Sequence, residues 1–252
     1  MKDSIWKDKR LSILSRIILI GLWIIFAKII DNEVIFPTIG STISSLVDIL
    51  KDPDFPNIIM HSLLRSLLGF LISLFLAITM GVMSSLSDLI YYLMAPILNF
   101  LRSVPAMAII ILALIWLNHD YAPMFVGFLM VFPILYETVV NSIFNIDKNT
   151  IEMAKLYKVN KLTLVKEIYI PSIFLAINQV LFSAIGTNLK MVIAGEALSQ
   201  PKYAIGSHLQ LEKMYLNTSG VFAWIIIILI ISKILEYLAR YIRSLSGIDK
   251  WK

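Results

Sequence analysis

Several ionisable side chains stand inside apolar stretches of this chain, where each is costly unless it faces water or a partner. Glu137, Lys190 and Glu196 lie within long apolar runs, and Arg65 and Arg102 lie near the ends of others. The stretch holding Lys190 and Glu196 also carries Asn178, Gln179, Ser183, Thr187 and Asn188, which makes it the most polar of the apolar segments. Such a face either lines a path for a polar solute or bonds neighbouring helices within a bundle. Asn188, Lys190, Glu196, Glu137 and Arg65 are therefore the candidate pathway residues, with Glu137 and Lys190 a candidate ion pair. Arg16 and Lys28 sit near segment ends and can snorkel, while Lys233 and Glu236 are spaced to pair on one helix face.

No residue set points to covalent chemistry. His61, His119 and His208 are isolated and lack ligand spacing, so loop or interfacial histidines are expected rather than metal ligands. The sequence has no G-x-S-x-G and no convincing acid pair. G-x-x-x-x-G-K-[ST] is absent as well, so the chain has no phosphate cradle and is expected to bind no ATP of its own. With no cysteine there is no thiolate metal site, disulfide or cysteine nucleophile.

The elements that must position these residues follow from composition. Of 252 residues, 58% are hydrophobic and 15% charged, and the mean hydropathy is +0.82. Soluble domains carry about 25% charge, so the chain reads as one integral membrane domain, 1–252, of the all-α class. A crossing helix uses roughly 20 apolar residues. Six candidate crossings emerge, at about 12–30, 60–83, 104–117, 122–144, 172–197 and 220–241, with a membrane-dipping helix from 89 to near Arg102. Pro96 and Pro105 divide that third apolar region. The first run is too long for a signal peptide and lacks a small-residue cleavage site, so it is read as a helix.

Six crossings place both termini on one side, and lysine and arginine choose it. Lys2, Lys7, Lys9, Arg10, Lys148, Lys155, Lys158, Lys161, Lys166, Arg240, Arg243, Lys250 and Lys252 gather on one side, against Lys51, Lys202 and Lys213 on the other. That bias makes both termini cytoplasmic; the short segment 84–88, expected on the same side, carries no basic residue. The net charge of +5 thus reflects topology and anionic lipid rather than nucleic acid. Trp6 and Trp251 are expected as interfacial anchors.

One cytoplasmic stretch, about 145–170, is polar, lysine-rich and still helical in pattern. Asn149 and Glu152 have capping-box spacing. Ile151, Ala154 and Lys158 share a face with a small residue at its centre, open to a partner. Thr163 is placed to cap a second short helix, and Pro171 to open the fifth span.

Glu152-Met-Ala154, Lys158 and Ile168-Tyr-Ile-Pro171 resemble the EAA motif of ATP-binding-cassette importer permeases, matched without a gap. The departures are Met153 for alanine, Ile170 for leucine and Lys158 for the glycine that permits a turn between two coupling helices. Either Asn160 takes over that turn or the turn differs. Further segments resemble the branch that imports nitrate, sulfonates, taurine and thiamine precursors. These are Phe36-Pro37-Thr38, Ser62-Leu-Leu-Arg65 through Gly69-Phe70, Leu101-Arg102-Ser-Val-Pro105 and Ile193-Ala-Gly-Glu196.

The resemblance implies a subunit forming half of a translocation pore. Glu152, Ala154, Lys158, Ile168 and Pro171 would couple it to a separate cytosolic ATPase that binds ATP and magnesium. It also implies an extracytoplasmic substrate-binding protein, and two-fold symmetry makes a second copy the default partner. The alternative, an ion-coupled transporter or channel working without an ATPase, calls for inverted repeats and a coupling-ion site, which the sequence does not display.

Overall fold

The computed structural model describes residues 9–245, apart from a few side chains that include Lys155 and Lys161. Trp6, Trp251 and the terminal lysines Lys2, Lys7, Lys250 and Lys252 lie outside the described residues. All regular structure among the described residues is helical: α1 (Lys9–Ile30), α2 (Ile39–Lys51), α3 (Phe55–Leu86), α4 (Asp88–Ser103), α5 (Ala106–Trp116), α6 (Ala122–Phe144), α7 (Lys148–Leu156), α8 (Lys161–Leu164), α9 (Ile170–Ser199), α10 (Ile205–Met214) and α11 (Thr218–Leu245). Five segments are long and apolar enough to cross a bilayer, in α1, α3, α6, α9 and α11, the α9 segment extending back to Leu162.

The expected crossing at 104–117 is corrected. Its helix, α5, has 11 residues and is about 16 Å long at 1.5 Å per residue, against a hydrocarbon layer of roughly 30 Å. It cannot span alone. Instead α4 and α5 meet at 105°, and only as a bent pair would they supply a sixth crossing. Pro105 is the cause: it donates no hydrogen bond and drives Val104 into extended backbone, φ −78° and ψ 129°.

The chain divides into two compact units. The first comprises residues 1–55 and 208–229. Its centre is aromatic: Trp23 lies 5.3 Å from Phe222 and 6.2 Å from Phe36 between ring centroids, and the Trp23 indole donates to the Pro37 carbonyl at 2.9 Å. Thr38 caps α2 by accepting from the Ser41 amide at 3.1 Å, and Ser45 bonds Ser219 at 2.9 Å. Both α2 and α10 are too short and polar for the apolar-run criterion that locates crossings.

The second unit comprises residues 56–207 and 230–252. Here α6 packs along α9 and against α3, and small residues set the spacing, as apolar helices in lipid require. A side chain at Gly127 would meet Asn188 Oδ1 at 2.6 Å, one at Gly195 would meet Pro123 at 2.9 Å, and one at Gly69 would meet the Met124 carbonyl at 2.7 Å. Val131, Leu135, Val139, Ala184, Leu189 and Val192 are fully buried along these contacts.

Candidate functional site

Three polar constellations arise in the second unit. The first is the loop between α6 and α9. Asp147, not Asn149, caps α7: it accepts from the Asn149 amide and the Thr150 hydroxyl, both at 3.4 Å. Asn160, not Thr163, caps α8, accepting from the Thr163 amide at 2.7 Å. The turn between the two helices is made by Lys158 itself, at φ +49°, while Asn160 is not left-handed. Lysine thus occupies the conformation glycine prefers, at a cost of roughly 1 kcal/mol.

Pro171 stands in the first turn of α9, as expected, although that helix continues without a break from the turn before it. Residues 165–169 form a π-turn running straight into α9, with the Ile170 amide donating to Val165 five residues back. Proline's missing donor and its clash with the preceding turn account for the widening ahead of it.

The inward faces of α7 and α8 are anchored. Ile146, Ile151, Leu164, Val165 and Ile168 pack on Val139, Ile143, Tyr169, Ile173 and Ile177 at the base of α6 and α9. Ala154 is buried at 5% exposure and faces this chain, correcting the expectation that its small side chain opens to a partner. Glu152 and Lys158 are exposed, Pro171 is exposed and Ile168 is half-buried. The outward surface is apolar: Leu156, Tyr157 and Leu162 are 80%, 74% and 83% exposed. These three side chains form an exposed apolar patch on a lysine-rich loop.

The second constellation joins α3, α9 and the segments that follow α5 and α9. Ser62 and Arg65, three residues apart on α3, point together at Glu196. Glu196 has no exposed surface. Its Oε2 accepts from the Ser62 hydroxyl at 2.9 Å and the Gly206 amide at 3.1 Å, and its Oε1 from Arg65 Nη1 at 3.2 Å. Arg65 donates further to the Tyr203 carbonyl at 2.8 Å, the Asp120 carbonyl at 3.2 Å and Asp120 Oδ1 at 2.8 Å. Ser62 in turn accepts from the Ile205 amide at 2.9 Å.

The close approach needs Gly206, where a Cβ would stand 2.2 Å from the Ile193 carbonyl. Gln200 ends α9 in the left-handed region at φ +51°, turning the chain back toward α3. A groove of about 420 Å³ opens beside Arg65, lined by His61, Asp120, Tyr121, Lys202 and Tyr203. Asn188 is bonded similarly, donating to the Ser66 carbonyl at 2.6 Å and hydroxyl at 2.8 Å. Of the two readings open for the polar face of α9, helix-to-helix bonding describes Asn188 and Glu196 in this conformation.

The third constellation lies between α4 and α6. Glu137 pairs with Arg102, not with Lys190. Both charges are partly open, at 41% for Arg102 and 47% for Glu137, and they border a cavity of about 160 Å³ with Tyr91, Asn99, Tyr136 and Asn141. Lys190 borders another, of about 140 Å³, with Phe182, Ser232 and Glu236. Lys233 and Glu236 pair at 3.1 Å as their spacing predicts, and Arg240 joins them.

Residues 69–245 match the family model of the binding-protein-dependent transport system inner membrane component. The chain belongs to that family. As an inner membrane component of such a system it is a multi-pass permease, and ATP is hydrolysed on a separate subunit. A probable ABC transporter permease protein of Brucella melitensis is 24% identical over 231 residues, covering 91% of this chain and 93% of the relative. A similar permease of Brucella abortus is also 24% identical, with 91% of each covered. A putative aliphatic sulfonates transport permease protein of Bacillus subtilis is 20% identical over 238 residues, covering 93% of this chain and 85% of that protein.

Sequence reasoning on this permease misses Arg102 as the partner of Glu137, and it misses Ser62, Asp120, Tyr203 and Gly206 around Glu196. Arg102 carries a signal, an arginine beside a proline-broken apolar run. The Glu196 partners carry none, because the contacts with Ser62 and Arg65 span more than a hundred residues of chain.

Proposed function

We propose that this permease forms half of a solute pathway across the cytoplasmic membrane and couples to its ATPase through the 145–170 loop, the whole chain acting as one permease domain. The observation that carries the reading is the loop's two-sidedness: its inner face is clamped on the ends of α6 and α9, while Leu156, Tyr157 and Leu162 stand out. A groove on the ATPase that grips these residues would move α6 and α9 with it. In that arrangement Glu152 contacts the ATPase, and Ala154, Ile168, Lys158 and Pro171 hold the loop's shape. ATP binding on the partner then biases a two-state element here.

An extracytoplasmic binding protein delivers the solute, a second copy completes the pore, and both termini are cytoplasmic, in contact with anionic lipid on that face. Lys190, Glu137 and Arg65 border the path, and Glu196 with Asn188 fixes the helices around it. The solute is a small organic or inorganic one of the nitrate, sulfonate, taurine or thiamine-precursor kind. The permease of Bacillus subtilis, named for aliphatic sulfonates, favours this class.

The test is co-purification with the ATPase subunit of the same transport system. Wild type retains it in detergent, and Leu156→Glu with Tyr157→Glu releases it while the variant remains in the membrane. Retention by the variant would overturn the docking assignment, and failure of folded wild type to hold any ATPase would favour an ion-coupled transporter.

A further inference from the structure

The geometry points to the cavity between α4 and α6 as a solute-binding position for small zwitterions, with Arg102 taking the acid group and Glu137 the ammonium. The inference rests on the permease reading above and adds a substrate class to it. Along α4, Ala95, Asn99 and Arg102 fall at i, i+4 and i+7; along α6, Glu137 and Asn141 fall at i and i+4, so the two polar stripes face one another. Four polar side chains on one face within apolar helices have no stable place against lipid, so the face borders water or a partner. Both members of the ion pair keep more than a third of their side-chain surface open. They can therefore be reached by a solute, unlike the sealed Glu196. The Tyr136 hydroxyl is already committed to Ser84 at 2.8 Å, which leaves the charged pair, the two carboxamides and Tyr91 as the recognition groups.

Charge balance selects the ligand. An ion pair bordering a cavity between apolar helices is exchanged at least cost by a solute that satisfies both charges. A simple anion would take Arg102 and strand the Glu137 carboxylate; a simple cation would take Glu137 and strand the guanidinium. A zwitterion exchanges one pair for two. Arginine suits the acid end because its planar fork grips a carboxylate or sulfonate through two donors. The cavity of about 160 Å³ restricts the solute to a small one.

The test uses the detergent-purified complex of permease and ATPase, with thermal unfolding of the permease as readout. The probes are taurine, β-alanine and glycine betaine as zwitterions, ethanesulfonate and propionate as matched anions, and ethanolamine as the cation. At least one zwitterion raises the unfolding temperature of wild type by about 3 °C when held at ten times its dissociation constant, whereas the anions and the cation do not. Arg102→Gln abolishes the shift. Glu137→Gln leaves Arg102 unpaired, so it loses the zwitterion response and gains one to ethanesulfonate, a change that lost stability alone would not produce. A wild type that answers anions as strongly as zwitterions, or a Glu137→Gln protein with unchanged selectivity, overturns the proposal. So does a wild-type complex that answers no probe. In that case the retained ATPase keeps the permease reading intact, whereas absence of the ATPase from the purified material would refute that reading instead.

Discussion

Replacing Arg65 by glutamine should weaken the protein far more than replacing Asp120 by asparagine, although Arg65 is ion-paired to both carboxylates. The difference lies in burial. Glu196 has a side-chain exposure of 0%, and Asp120 of 68%. Losing Arg65 leaves a carboxylate stranded in a sealed site, and breaking a buried pair from one side costs about 3–5 kcal/mol. The Asp120 contact is solvated, and such pairs contribute about 1 kcal/mol or less. At roughly 2–4 °C per kcal/mol for a chain of this size, Arg65→Gln should lower the unfolding temperature by about 6–20 °C and Asp120→Asn by at most about 4 °C.

The double variant Arg65→Gln with Glu196→Gln removes both charges together. It should recover part of the single-variant loss, giving a coupling energy on the order of 2 kcal/mol in a double-mutant cycle. The assay is thermal unfolding in a fixed detergent, with membrane insertion of each variant checked first. Equal losses for Arg65→Gln and Asp120→Asn, or strict additivity in the cycle, would refute the view that Arg65 neutralises a buried charge.

Other expectations follow from single contacts. Lys158→Gly removes the left-handed strain at φ +49°, so it should stabilise the loop by about 1 kcal/mol and keep the ATPase bound, whereas Lys158→Val should cost more than that and loosen binding; pull-down against salt reads both. His208, on α10, is held below its ordinary range by burial, against weaker upward pulls from Asp52, Glu212 and Asp54. A depressed histidine favours the neutral form when folded, so stability should be complete above about pH 6.5 and fall as the pH drops below it; the melting temperature of His208→Gln should lose this slope. Glu152→Lys should leave the permease inserted while separating ATP hydrolysis from uptake, which paired ATPase and uptake measurements would reveal. Lys190→Ala should lower uptake with the ATPase still bound, and unchanged uptake would remove Lys190 from the pathway.

Long apolar runs made most of the crossings legible, because a helix in lipid must announce itself by twenty residues without relief. The same criterion overlooked α2 and α10, whose polar residues satisfy no such rule, and it took 104–117 for a crossing of its own, when α5 has only 11 residues and meets α4 at 105° across Pro105. Helix caps were legible in kind but displaced: Asp147 and Asn160 do what Asn149 and Thr163 were expected to do, since each neighbouring residue can supply a capping oxygen. Glu196 and Arg65 were visible as costly charges. Their mutual contact was not, because it joins α3 to the end of α9 through partners that no periodicity connects. The 145–170 loop showed its helical pattern but not its orientation. Only packing reveals that Ala154 faces inward and Leu156, Tyr157 and Leu162 face out.

The absence of cysteine from the chain allows the central claim to be tested one residue at a time. Single cysteines placed at Glu152, Ala154, Tyr157 and Leu162 would be crosslinked in membranes to the partner ATPase, with and without ATP. Efficient crosslinks are expected from positions 152, 157 and 162, altered by ATP, and few from position 154. Crosslinks absent at 157 and 162 in a complex that still co-purifies would place the ATPase elsewhere and contradict coupling through this loop.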